Sequence, residues 1–166
     1  IRDRSRVNWG TRMKEVVTIL EAINHALDHS LKVNKNVVLL GQDIGPNGGV
    51  FRVTEGLQQK YGEERVIDTP LAENMIAGIT VGMAVSGLVP IAEFQFMGFI
   101  YPAVDQILSH ASRMRNRTRG RLTCGAVFRA PYCGGIGAPE HHSESTEAIF
   151  SHIPGIRVVI PVSYTH

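Results

Sequence analysis

Val37-Val38-Leu39-Leu40, followed at once by Gly41, is the feature that most narrows how this chain can fold. Four apolar residues in a row, with no polar residue for a solvent side of the pleat, predict a short strand buried on both faces. Strands of that kind belong to parallel sheets covered by helices on each side. The pattern returns in Val66-Ile67, in residues 90–96, in Ala126-Val127-Phe128-Arg129-Ala130 and in Val158-Val159-Ile160. Helical stretches lie between these runs. Thr18-Ile19-Leu20-Glu21 has the form of a capping box, and Leu20, Ile23, Leu27 and Leu31 recur at helical spacing behind it. On that helix His25 and His29 read as solvated. Residues 54–62 predict a short helix closed by Gly62, and the uncharged stretch 76–86 predicts a buried one. Pro102 stands where helices favour proline, at the start of a further helix. Strands alternating with helices predict an α/β fold, a doubly wound, mostly parallel sheet with helices on both faces.

With 166 residues, 43% of them hydrophobic, the chain can bury one ordinary core. A net charge of +2 is too small to argue for nucleic acid or a membrane surface as a partner. The arginines 113, 115, 117, 119 and 121 are concentrated, but aromatic residues do not interleave with them. They read as a solvated or subunit-facing surface rather than a nucleic-acid groove. No apolar run reaches the roughly 18–20 residues of a membrane helix. Cys124 and Cys133 match no metal or disulfide spacing, so a reduced, cytoplasmic setting is expected. The ends read as foreign. Val162-Ser163-Tyr164-Thr165-His166 is what GTC TCT TAT ACA CAT encodes, and Ile1-Arg2-Asp3 is what ATA AGA GAC encodes. These are opposite strands of a transposon end used to build sequencing libraries. The expected organisation is therefore a non-native or upstream-translated segment at 1–12, one domain at 13–161 and adapter read-through at 162–166, a carboxyl-terminal domain being absent.

The residues with chemical potential cluster just past strand ends, where open α/β sheets bind ligands. Gly41-Gln42-Asp43-Ile44-Gly45 ends the first strand, and Asp68-Thr69-Pro70-Leu71-Ala72-Glu73 follows the second. Glu73 stands at the mouth of the uncharged helix; on position alone it reads as a first-turn acid favoured by the helix dipole. Phe96, Met97, Gly98, Phe99 and Tyr101 form an aromatic cluster able either to stack on a ligand ring or to pack as core. Gly48-Gly49 belongs to neither phosphate-loop pattern and reads as a turn. A glycine loop over residues 134–137 leads to Glu140-His141-His142, and one histidine there, before a helix opening at Ser143, is a catalytic candidate. Adjacent histidines share no helix face, so paired metal ligation is poor geometry. Gly78, Gly82 and Ser86, four apart, suggest a tight helix interface.

Several of these motifs occur together in one known family. Gly41-Gln42-Asp43-Ile44-Gly45, Gly48-Gly49-Val50-Phe51-Arg52-Val53-Thr54-Glu55-Gly56-Leu57, Asp68-Thr69-Pro70-Leu71-Ala72-Glu73, Glu93-Phe94-Gln95-Phe96, Tyr101-Pro102-Ala103-Val104-Asp105-Gln106-Ile107 and Pro139-Glu140-His141-His142-Ser143-Glu144-Ser145 stand in matching order and spacing. Over about residues 13–161 the chain resembles the beta subunits of thiamine diphosphate-dependent 2-oxo acid dehydrogenases, most closely the bacterial pyruvate dehydrogenase kind. The resemblance covers the amino-terminal, pyrimidine-binding domain, of transketolase-like fold.

That resemblance implies oxidative decarboxylation of pyruvate or a related 2-oxo acid, with acyl transfer to the lipoyl group of a dihydrolipoyl acyltransferase core. It implies an alpha subunit that holds the diphosphate and its magnesium, in a heterotetramer of two alpha and two beta chains, and no metal ligand on this chain. Glu73 matches the glutamate that bonds the pyrimidine ring nitrogen, and Phe99 the aromatic residue packed on that ring. Leu71 and Gln95 match its other neighbours, and His142 matches the active-site histidine near the acyl-transfer end. Gln42 stands where the family usually has a glutamate; an amide keeps the hydrogen bonding but cannot titrate. The acetoin and branched-chain relatives share the motifs, and an inactive association fragment is the reading of a different class.

Overall fold

The computed structural model describes residues 17–138 and 140–161. The terminal segments set apart above lie outside the described residues, as does Pro139 of the histidine motif. Four strands, β1 (Val37–Gln42), β2 (Val66–Thr69), β3 (Val89–Glu93) and β4 (Val127–Arg129), form one sheet in the order β2-β1-β3-β4. Every pairing is parallel; Leu39 faces Val66 on one side and Ile91 on the other. The helices are α1 (Ile19–Val33), α2 (Leu57–Tyr61), α3 (Glu73–Val85), α4 (Met114–Arg117) and α5 (Glu147–Ser151).

Successive side chains of a strand point to opposite faces, and β1 shows why an unbroken apolar run suits this sheet. Val37 and Leu39 enter a core with Leu27 and Leu31 of α1, Leu57 of α2 and Val66. Leu40 enters the other core, with Ile76 and Ala77 of α3, Phe94, Ile107 and Phe150 of α5. Helices thus cover both faces, the doubly wound arrangement expected. The capping box of α1 is formed: the Thr18 Oγ1 accepts from the Glu21 N–H at 3.2 Å, while the Thr18 N–H donates to the Glu21 carboxylate at 2.7 Å.

The structure departs from the sequence expectations in four places. Val158-Val159-Ile160 is not a strand: Ile156 and Val158 pack on the core, whereas Val159 and Ile160 are exposed. An apolar run alone does not secure a strand without a neighbouring edge to pair with. The uncharged helix α3 is buried on one face only, through Ile76, Ala77, Thr80, Val81 and Ala84; Met75, Ile79, Gly82 and Ser86 point outward. The segment after Tyr101 is a 3-10 turn at Tyr101–Ala103 and then a π-helical turn at Gln106–Ala111, not a regular α-helix. Finally, the helix expected at Ser143 starts at Glu147. No helix among the described residues is long and apolar enough to cross a membrane.

Candidate active site

The strand order places β1 between β2 and β3, so the chain leaves β1 first to one side and later returns to the other. Ligands of doubly wound sheets bind at such a switch point, outside the carboxyl ends of the strands. Every candidate residue stands at those ends. Gln42 closes β1, Leu71 and Glu73 follow β2, Gln95 and Phe99 follow β3, and His142 lies in the segment after β4.

A side-chain bond spans the switch point itself. The Gln95 amide donates from Nε2 to the Asp43 Oδ2 at 2.8 Å. Asp43 holds its carboxylate there from a backbone φ of 59°, a left-handed conformation that non-glycine residues seldom take outside constrained sites. The loop beyond is pinned beneath it: the Gly49 N–H donates to the Asp43 carbonyl at 2.8 Å, and the buried Thr54 hydroxyl donates to the Ile44 carbonyl at 2.8 Å. Gln42 has no side-chain partner among the described residues. Its register neighbour Thr69 carries a buried hydroxyl that is likewise without one.

Glu73 is the first residue of α3, and the preceding Ala72 contributes no side-chain cap. The helix dipole therefore favours a negative charge at Glu73. Its carboxylate is partly buried and meets no hydrogen-bond donor or cation among the described residues. Leu71 is exposed beside it. Among the described residues no hydrogen bond or ion pair joins Glu73 to His142.

Phe99 and His142, in contrast, do meet. Their ring centroids are 5.1 Å apart at 82°, and Phe96 packs edge-on to both, at 5.5 Å from Phe99 and 4.6 Å from His142. Phe51 extends the cluster, 5.5 Å from Phe96. Gly98 makes this possible, because a Cβ there would fall 2.2 Å from the His141 carbonyl oxygen. Between the rings and the Tyr132-Cys133-Gly134 turn is a pocket of about 130 Å³, lined also by Ile136 and His142. The His142 Nδ1 lies 2.6 Å from the Glu140 carbonyl. A carbonyl only accepts, so Nδ1 carries the hydrogen and Nε2 is the nitrogen with a free lone pair. His141 is exposed and contacts the carboxylates of Glu140 and Glu144 instead, at 3.3 and 3.2 Å.

Three groups escaped the sequence reading. Asp43 was legible only as part of a strand-end motif, and Phe51 only within the motif that begins at Gly48. The third is the ion pair of Glu93 with Arg129, register partners on β3 and β4 whose side chains are 6% and 19% exposed. Burial pushes the Glu93 carboxyl up from its ordinary value, and Arg129 pulls against that. One acid and one base in adjacent apolar strands was the available signal. Tyr101 adds a tie across the site, donating its hydroxyl to Glu144, whose carboxylate raises the phenol's pKa.

Residues 15–166 match the family described as transketolase, pyrimidine binding domain. The chain is 56% identical over 146 residues to the pyruvate dehydrogenase E1 component subunit beta of Acholeplasma laidlawii, covering 88% of this chain and 45% of that protein. It is 57% identical over 145 residues to the protein of the same name from Mycoplasma genitalium, covering 87% and 44%. Against the 3-methyl-2-oxobutanoate dehydrogenase subunit beta of Mycobacterium tuberculosis the identity is 50% over 145 residues, covering 87% and 42%. The chain thus spans less than half the length of these curated relatives.

Proposed function

The chain belongs to the transketolase pyrimidine-binding domain family, and on that premise we propose that it holds the aminopyrimidine of thiamine diphosphate in the beta subunit of a 2-oxo acid dehydrogenase, with pyruvate as substrate. The observation that carries the proposal is a carboxylate at the first turn of α3, without a partner among the described residues, that stands at the same carboxyl ends of the parallel strands as the Phe99 ring and the Gln42 and Thr69 polar groups, which also lack one among those residues. That donor and acceptor set fits a flat heterocycle with polar edges.

When bound, the cofactor supplies a nucleophilic thiazolium carbon and an electron sink for loss of carbon dioxide. The residues of this chain bind it and manage protons. The Glu73 carboxylate would hydrogen-bond a pyrimidine ring nitrogen and so hold a proton at that atom. Phe99 packs on one ring face, and Leu71 covers exposed apolar surface beside it. Gln95, steadied by Asp43, contributes an amide oxygen at the crevice. Gln42 hydrogen-bonds without titrating. His142 would accept or return a proton at Nε2 at the acyl-transfer end of the site, where the lipoyl group of a dihydrolipoyl acyltransferase would receive the acyl group.

The diphosphate and its magnesium fall to an alpha subunit, the two chains forming a heterotetramer in the cytoplasm. The outward face of α3, with Met75, Ile79 and Gly82 uncovered, supports such an association. A branched-chain 2-oxo acid is the second reading, favoured by the relative named for 3-methyl-2-oxobutanoate. Mixed with an alpha subunit, the protein should release carbon dioxide from pyruvate only with thiamine diphosphate and magnesium present. Turnover by the isolated chain would refute the divided site, and faster turnover of 3-methyl-2-oxobutanoate would select the second substrate.

A further inference from the structure

We propose that the chain carries a second ligand site, separate from the strand-end crevice, that binds the phosphates of a small polyphosphate anion. A cavity of about 1000 Å³ is lined by Arg113, Arg115 and Arg119 on one wall and by His152 and Gly155 on the other. It shares no lining residue with the 130 Å³ pocket beside His142. Among the described residues no carboxylate lines it. Among the described residues none of these three guanidinium groups has an ion-pair partner. Arg117, by contrast, is occupied with the Ser109 carbonyl and the His110 ring.

The walls are fixed by packing rather than by the charges. Phe150 and Ile153 are buried in the core and hold the turn that carries His152. Gly155, at a φ of +91°, lies so close to the other wall that a Cβ would be 2.5 Å from the Ser112 carbonyl. Arg119, at a φ of 54°, belongs to the left-handed turn that closes α4, where the Gly120 N–H donates to the Arg115 carbonyl at 2.7 Å. Arginine forks match phosphate oxygens in pairs, and the volume suits a small molecule rather than a single ion. Among the described residues no Phe, Tyr or Trp lines the cavity, so apart from the His152 imidazole it offers no ring on which a base would stack. Recognition therefore rests chiefly on phosphate, and inorganic tripolyphosphate should bind much as ATP does.

Isothermal titration of the full-length chain with sodium tripolyphosphate and with ATP, at low salt and without magnesium, tests this. The two ligands should bind with similar affinity. Arg115→Gln with Arg119→Gln should weaken both by about tenfold or more, the loss of two charge-assisted contacts. Lys32→Gln with Lys35→Gln removes the same charge from the exposed end of α1 and the loop after it, and should leave binding unchanged. Arg113→Gln alone repeats the measurement should the double variant melt early. Absence of binding, or equal loss in the arginine and lysine variants, would overturn the proposal, as would ATP binding far more tightly than tripolyphosphate. So would the absence of tripolyphosphate binding together with arginines that become shielded from phenylglyoxal only when a partner subunit is added; that result would make the cavity a docking surface.

Discussion

Replacing Gly98 with alanine perturbs the contact that brings the aromatic turn and the histidine loop together. The added Cβ would sit 2.2 Å from the His141 oxygen and 2.9 Å from its carbonyl carbon and Cα. Carbon and oxygen need about 3.3 Å between them, so the backbone at His141 must retreat by about 1 Å. His142 is the next residue, and its ring is seated against Phe96 and Phe99. Overpacking of this kind costs about 1–3 kcal/mol, and a misplacement of about 1 Å in a reacting group costs about a hundredfold in rate. Two readouts separate the effects: a thermal melt, and single-turnover decarboxylation set against acyl transfer to a lipoyl domain in the assembled enzyme. Acyl transfer should fall about a hundredfold, decarboxylation much less, and the melting temperature by a few degrees. A Gly98→Ala enzyme with unchanged acyl transfer would refute the assignment of His142 to that step.

Thr18→Ala removes the capping box of α1 and should cost about 1 kcal/mol, read from urea unfolding; a loss near zero would show that the helix start does not depend on it. Glu93→Ala leaves Arg129 without its partner between β3 and β4 and should cost about 3 kcal/mol, the lower end because Arg129 keeps some contact with water; a smaller loss than Thr18→Ala would contradict the view that the pair is a desolvated one. The Glu21 and Asp28 carboxyls lie below their ordinary values of 4.5 and 3.8, the first through hydrogen bonds from Thr18 and the second through Lys60. Their stabilisation is therefore present above those values and lost as pH falls through and below them. Glu93, raised by burial, has the opposite sign. A melting curve followed from pH 6 to pH 3 should fall less steeply in Asp28→Asn than in the parent chain, and an unchanged acid limb would count against the Lys60 contact.

How far the sequence reveals the fold depends on whether a feature is local. Val37-Val38-Leu39-Leu40 announces its strand because both faces of β1 are buried, and Thr18 with Glu21 announces α1 because the cap closes within one turn. Val158-Val159-Ile160 misleads because an apolar run does not say whether a strand edge is there to receive it. The one-sided burial of α3 is equally hidden: a run without charge specifies neither which face is covered nor by what. At the site, residue types at strand ends point to the crevice, and the resemblance supplies roles for Glu73, Phe99 and His142. The hydrogen bond between Asp43 and Gln95 and the seating of His142 against Phe96 join residues about fifty positions apart. Such pairings exist only once the sheet has formed.

The proposed role of the Glu73 carboxylate is to hold a proton on the pyrimidine and so ready the thiazolium carbon. Hydrogen–deuterium exchange at that carbon, measured by quenched-flow NMR in the assembled enzyme, tests it most directly. Glu73→Gln should bind thiamine diphosphate yet slow the exchange by about a hundredfold or more, the range for losing a positioned proton carrier. Exchange at the parent rate in Glu73→Gln, with the cofactor bound, would contradict the account.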